Sequence, residues 1–527
     1  MWSTAIKARV TAGATTATIL SASITLVLGF LGSRVLGLLR NMVLASTFGA
    51  GPELDAYFAA FRLPDAIFQL IVGAALGSAF IPYFTAKFTK DSPDDAWRLA
   101  SAVLTWSSIA GAVIAVVGFL VAPWFVPLTV IGASAETQAL TVHLTQIMLG
   151  SSAFFCASVV VTGILNSRHH FALPALAPIL YNLCIIGGTF WLVQPLGVAG
   201  PAWGVTIGAL LHLLVQLPGL PLVGMKYTPW THPGEAGVGE VLKLMGPRAL
   251  SVATAQIYWI ITILLASTLA PGSITALTYA WALMMLPLSL LGMAPATAAF
   301  PSLAYTAAAE DWSRFQRMLT NGFRLAIFVS LPATVGLILV REPLVALLFQ
   351  RGAFEAQSTA LTATALLFFT VGLISHVTLE VSARGFYALQ DTRTPLMFAI
   401  AGMSLHGVLS ILLGSSYGVA GLALAMSIST SFEVVCQMIA LTRRLGGLDW
   451  AELAMSGVKT AVAAGIMGAA VYALVGALGE TSGTTKQVLV LMSAGGVGVS
   501  VFAACAALLR SADLELVLRQ VRAARRA

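Results

Sequence analysis

Charge is what this sequence has least of: charged residues make up 9% of its 527 positions, against roughly 25% in an ordinary soluble domain. Too few ionised groups exist to cover a water-facing surface, which excludes a soluble globular chain. Cysteine is nearly as scarce. Cys156, Cys184, Cys436 and Cys505 each fall inside an apolar run, at no spacing that a metal site or a disulfide framework uses, and read as small packing residues. The chain has no Walker loop and no H-E-x-x-H, so neither ATP drive by that route nor zinc hydrolysis is expected. The period-two alternation of a transmembrane barrel is missing as well. One formal match to G-x-S-x-G, Gly414 to Gly418, is a short turn between apolar stretches and lacks the strand-turn-helix setting that exposes a nucleophile. No enzyme chemistry, cofactor or metal is therefore expected.

What is present is apolar length. Hydrophobic residues reach 58% and mean hydropathy is +0.90, with runs of about 20 residues, each able to cross the bilayer as a helix. Fourteen such runs are expected: 17–39, 55–86, 99–122, 138–165, 174–193, 198–223, 241–269, 273–303, 318–340, 357–383, 395–413, 418–441, 452–477 and 487–509. The expected class is an all-α membrane protein. Placing the N-terminus in the cytoplasm puts all of the 28 Lys and Arg on inside segments except Arg34, Arg40, Arg62, Arg341, Arg351 and Lys486. That asymmetry predicts both termini inside and an even number of spans. The net charge of +7 reports orientation and contact with anionic lipid, without calling for nucleic acid. Trp97, Trp124, Trp230, Trp312 and Trp450 lie near predicted helix ends, where interfacial anchors sit.

The longest polar interruption, 224–240, reads as a linker between two six-helix halves. The expected division is 1–224 for helices 1 to 6, 225–240 for a cytoplasmic linker, 241–444 for helices 7 to 12, and 445–527 for two further helices and a basic tail. A faint echo between "YFAAFRLP" to "SAFIPYF" and "YAWALMMLP" to "AAFPSLA" suggests duplicated halves, the usual build of transporters that alternate access.

Three arginines stand out in apolar surroundings. A charge at mid-bilayer costs about 2.5–3.5 kcal/mol on insertion scales, so Arg34, Arg40 and Arg62 need a partner or a wet cavity. Arg34 and Arg40 are separated by about 120° on a straight helix and cannot point the same way unless Gly37 lets it distort. Asp55 and Arg62 share a helix face, Asp65 adds a negative charge near Arg62, and Pro64 kinks the segment. Two readings stay open: a cationic cavity that takes phosphate oxygens, or arginines that snorkel to an interface while Asp55 pairs with Arg62. Glu380 and Arg384 are expected to form an i,i+4 pair. His376, His406 and Glu433 stand alone within spans, where packing is the default and proton coupling stays open.

The stretches "SRVLGLLRN", "FGAGPELDAYFAAFRLPD", "AFIPYF", "LFQRGAF" and "RGFYALQDTRTP", in this order, resemble the MurJ/MviN family of lipid II flippases. The resemblance implies two six-helix lobes around a central cavity, plus two C-terminal helices. It implies that Ser33, Arg34, Arg40 and Arg62 bind the pyrophosphate of a lipid-linked peptidoglycan precursor, and that Asp55 serves as a gating or ion-pairing residue. It further implies a monomer in the bacterial cytoplasmic membrane, with wall-synthesis proteins as partners. Asn41, Phe68 and Ala282 stand where the family type carries charge, which keeps two alternatives in view: a different lipid-linked oligosaccharide, or a non-transporting scaffold.

Overall fold

A computed structural model describes residues 16–71, 80–90, 92–229, 238–479 and 483–518. Lys7, Arg9, Gly73, Trp230, most of the expected linker and the basic tail lie outside the described residues. The longer helices are α1 (Thr16–Phe48), α2 (Pro52–Ile71), α3 (Ile81–Lys90), α4 (Pro93–Thr129), α5 (Ala135–Ser167), α6 (Ala172–Trp191), α7 (Ala199–Leu214), α8 (Val238–Ala266), α9 (Ser273–Leu288), α10 (Ala294–Ala308), α11 (Trp312–Phe349), α12 (Ala356–Val371), α13 (Leu373–Ala388), α14 (Arg393–Arg444), α15 (Trp450–Leu478) and α16 (Thr484–Leu508). Their starts carry local signals. Ser92 accepts from the Asp95 amide at 3.1 Å, Asp311 from the Arg314 amide at 3.0 Å and Asp449 from the Glu452 amide at 2.9 Å, each satisfying a donor that the first helical turn leaves unpaired.

Among the described residues nine helical segments are long and apolar enough to cross a membrane, ten when the bent pair α12 and α13 counts as one span. Where their residues are described, the expected runs lie mostly on helices; residues 72–79 of the run 55–86 lie outside the described residues. Part of the difference comes from α14, counted once, which at 52 residues would be about 78 Å long if straight. It is not straight. Gly418 takes φ +57 inside it, and Arg444 at its far end bonds to Asp391, just before its start. The element is two antiparallel spans, as the runs at 395–413 and 418–441 predict.

Asp391 also accepts from the Arg393 amide at 3.0 Å, the Thr394 amide at 3.0 Å and the Thr394 hydroxyl at 2.7 Å. Desolvation pushes this carboxyl up, but the Thr394 bonds and Arg444 outweigh it and hold its pKa below the ordinary value. The contribution is therefore intact at neutral pH and is lost only as acid brings the pH down through that lowered pKa.

The chain forms two compact units, residues up to Phe48 with Ala56–Gln256, and Gly49–Asp55 with Ile257–Ala527. In the first, Phe80, Phe84, Trp97 and Leu99 build a core with Val159 and Ile164 of α5. In the second, Phe315, Leu319 and Phe323 of α11 pack with Phe386 and Leu441, and Met467, Val471 and Ala494 join α15 to α16. Val116, Phe119, Leu120 and Trp124 stand exposed on α4. On a soluble protein such a patch would invite aggregation; on this one it is a lipid-facing surface.

Each unit, taken by itself, carries the same motif. The sequence Gly-Val-Ala-Gly recurs at 197–200 and 418–421, with φ +56 at Gly197 and +57 at Gly418. Glycine supplies the left-handed residue that lets one span turn sharply into the next. Beyond each turn the side-chain bonds repeat as well. Thr206 donates to the Ile147 carbonyl at 2.7 Å, and Ser427 to the Phe368 carbonyl at 2.6 Å. Thr162 donates to Gln216 at 2.7 Å, and Ser382 to Gln437 at 2.6 Å. The second member of each pair follows the first by 220 or 221 positions.

The second unit is closed by a buried ionic lock. Arg324 of α11, 5% exposed, donates through Nε to Asp513 at 2.9 Å and through Nη2 at 2.7 Å, and its Nη1 bonds Glu452 of α15. Asp513 is 1% exposed and also accepts from Ser456 at 2.6 Å. This one carboxylate ties the segment after α16 to both α11 and α15.

Candidate functional site

The three arginines divide. Arg40 turns toward α6. Its Nη1 donates to Asn182 Oδ1 at 3.2 Å, and its Nε and Nη2 donate to Asn41 Oδ1 at 3.2 and 3.1 Å. Asn182 presents that oxygen because its Nδ2 is committed to the Pro178 carbonyl at 2.9 Å. Tyr57 and Tyr181 lie within electrostatic reach of the same guanidinium. Arg62 pairs with Asp65 at 3.7 Å, one helical turn away, and Asp65 senses both Arg62 and Arg40. Arg40 and Arg62 thus share one acidic neighbour, a cluster of two positive charges and one negative within the first unit.

Arg34 stands apart. It is exposed, and its guanidinium lies 4.9 Å from the centre of the Phe30 ring, a cation-π distance. Between the two arginines α1 is an unbroken helix, so the 120° separation is realised. Ser33 lines a cavity of about 530 Å³ with Gly29, Phe30, Pro174, Ala175 and Pro178.

Asp55, which belongs with the second unit, does not pair with Arg62. Its Oδ2 accepts from the Gly272 amide at 2.6 Å, and its Oδ1 from the Thr275 amide at 2.7 Å and the Thr275 hydroxyl at 2.7 Å. Gly272, at φ +90, is the N-cap of α9. The carboxylate therefore sits on the positive end of that helix and satisfies two of its unpaired amides.

The positions that lack expected charge are occupied by packing groups. Phe68 lies 4.6 Å from Phe155, which in turn contacts Tyr181 and His212. Ala282 follows Trp281, whose ring meets Trp259, Phe369 and His376. Glu380 and Arg384 form the expected pair. Arg168, at the C-terminal end of α5, stacks 4.0 Å over Phe88. Asn182 escaped the sequence reading, although a lone amide inside the apolar run "ILYNLCIIGG" was a visible signal. Among the described residues no group of three or more His, Cys, Asp or Glu could hold a metal ion. A guanidinium oriented by amide oxygens can take the oxygens of an anion.

The fold and the site define a polytopic helical membrane protein with guanidinium groups inside its spans. The comparisons narrow that class. A family profile described as "Lipid II flippase MurJ" matches residues 44–492. The lipid II flippase MurJ of Burkholderia cenocepacia is 34% identical over 424 residues, covering 78% of this chain and 81% of that protein. A probable lipid II flippase MurJ of Thermotoga maritima is 29% identical over 501 residues, covering 94% and 97%. A solved structure titled "Lipid II flippase MurJ, inward closed conformation" superposes with a TM-score of 0.78 at 25% identity, covering 92% of this chain and 98% of that one. An inward-facing multidrug resistance transporter of the MATE family, in the MOP superfamily, shares the fold at a TM-score of 0.69 and 18% identity. The chain belongs to the MurJ family.

Proposed function

We propose that this protein moves lipid II, the undecaprenyl-diphosphate-linked peptidoglycan precursor, from the inner to the outer leaflet by alternating access. No bond is made or broken; the ligand shifts populations between states that bind it differently. The observation that carries this reading is the setting of Arg40. Its guanidinium lies in a membrane helix, and its hydrogen bonds among the described residues go to the neutral amide oxygens of Asn41 and Asn182. Amides orient a guanidinium without neutralising it, which leaves its charge for a diphosphate. Arg62 adds positive potential, and Asp65, the acidic neighbour of both arginines, offsets part of it. Ser33 and Arg34 meet the headgroup from the neighbouring face of α1, and Asp55 acts as the gating residue, releasing the α9 amides in one state and holding them in the other. The charge asymmetry supports both termini in the cytoplasm of a bacterial inner membrane. The unit of function is a monomer, with wall-synthesis proteins as its partners.

Phe68 and Ala282, apolar where charge was expected, favour one second reading, a different lipid-linked oligosaccharide as cargo. The experiment is growth rescue in cells depleted of their own flippase. Arg40→Ala is expected to abolish rescue, Arg34→Ala to weaken it, and the double variant to give none. Full rescue by the double variant would remove these residues from the mechanism.

A further inference from the structure

A second polar chain runs through the second unit and has no part in anion binding. It joins Tyr258 and Thr262 of α8 to His406 and Ser410 before the break in α14, and to Glu433 and Gln437 after it. His406 is fully buried. Its Nε2 lies 3.0 Å from the Thr262 hydroxyl, whose own proton is donated to the Tyr258 carbonyl at 2.8 Å, so the imidazole is the donor in that contact. Ser410 Oγ lies 3.3 Å from Nδ1, and the carbonyls of Ala425 and Tyr258 also face the ring. A neutral imidazole needs one donor and one acceptor as partners, while an imidazolium needs two acceptors. The pocket around His406 is made mostly of acceptors.

Glu433 is 7% exposed. Its Oε1 accepts from Gln437 at 3.1 Å, and Gln437 accepts from Ser382 at 2.6 Å. Its other oxygen faces Gly402, where a Cβ would stand 3.3 Å from Glu433 Oε2 and 2.7 Å from the Tyr258 hydroxyl. That hydroxyl, beside Ser429, is buried with no partner in bonding geometry among the described residues. The absence of a side chain at Gly402 lets a carboxylate oxygen and a hydroxyl from another helix converge on one point. The Tyr258 ring then lies 5.0 Å from the imidazole of His406, so Tyr258 abuts both titratable groups.

The first unit supplies the contrast. The position equivalent to Glu433 in the repeat is His212, and there Ser158 bonds Nδ1 at 2.7 Å while Gln216 closes the node onto Ser158 at 2.9 Å. In the second unit the same node opens toward a second titratable group. Among the described residues, the charges that α13 brings against α14 are paired with each other. Within its span α12 has no titratable residue; α13 carries His376, stacked on Trp281, and Glu380, paired with Arg384; α9 carries Tyr279, stacked on Phe349.

We propose that Glu433, Tyr258 and His406 form a proton-binding site that couples the transport cycle to the proton gradient. The inference rests on the transporter reading above, and the experiment separates the two. Proteoliposomes are loaded with dansyl-labelled lipid II in sodium-free buffer, the membrane potential is clamped at zero, and the flipping rate is measured with and without a pH gradient. Wild type is expected to show a rate ratio of at least about 5, the lower end of ordinary coupling. The Glu433→Gln and His406→Gln proteins are expected to bring that ratio to about 1. Should either fail to fold, Tyr258→Phe removes only the hydroxyl and serves in its place, with the same loss of response expected. A wild-type rate indifferent to the gradient, or variants that respond as wild type does, would overturn the proton site while leaving the flippase reading in place. No flipping by wild type under any condition would overturn both.

Discussion

Replacing Asp513 with alanine is expected to cost the protein on the order of 3 kcal/mol of stability, the lower part of the range for breaking a buried ion pair from one side. The reason is the burial of Arg324, 5% exposed, which would keep its charge and lose two of its three carboxylate contacts. Only Glu452 would remain, and its side chain is 49% exposed. Removing Glu452 instead should matter far less, under about 1 kcal/mol, because water already screens that contact. Ser456 would lose its acceptor too in the Asp513 variant, since it donates to the same carboxylate. Thermal unfolding of both variants in detergent checks the order. Equal melting temperatures for wild type and Asp513→Ala would show that the lock is decorative.

Replacing Asp55 with asparagine is expected to do nearly as much damage, at the position proposed above as the gate. The variant keeps the volume but turns one of the two oxygens into a donor. Both are accepting: Oδ2 from Gly272, Oδ1 from the Thr275 amide and hydroxyl. One buried amide of α9 would then face another N–H, at a cost of about 1–3 kcal/mol for the unsatisfied group, besides the lost interaction with the helix dipole. Alanine at this position leaves all three donors without their acceptor. The expected result is a lower melting temperature together with loss of growth rescue. An Asp55→Asn protein as stable and as competent as wild type would remove Asp55 from the cap and from the gate.

Much of this architecture was open to reading in the residues. Apolar length placed the spans, because crossing a bilayer sets a minimum that few other folds demand. The 120° divergence of Arg34 and Arg40 followed from helix geometry alone, and the unbroken α1 carries it out. Where the expectation pointed elsewhere, the partners were distant in sequence or the nearer partner won. Arg62 takes Asp65, a turn away, instead of Asp55 on the same face. Asp55 finds its acceptor role with Gly272 and Thr275, more than 200 positions on, and Arg40 finds Asn182. Periodicity arguments see neighbours three or four residues apart and are blind to those meetings. The Gly-Val-Ala-Gly repeat was legible at 197 and 418, yet four residues make a weak signal until two equal φ angles and the matching bonds give it meaning.

The proposed mechanism requires the amide-held guanidinium of Arg40, with Arg34 on another face of the same helix, to grip a diphosphate headgroup. Native mass spectrometry of the protein extracted from membranes measures this directly. Wild type should carry an adduct with the mass of an undecaprenyl-diphosphate-linked muropeptide, and the Arg34→Gln, Arg40→Gln double variant should carry it at a small fraction of that occupancy, given about 1.5–3 kcal/mol for each charge-assisted bond lost. Equal occupancy in the two proteins, or a wild-type adduct without a diphosphate, would contradict it.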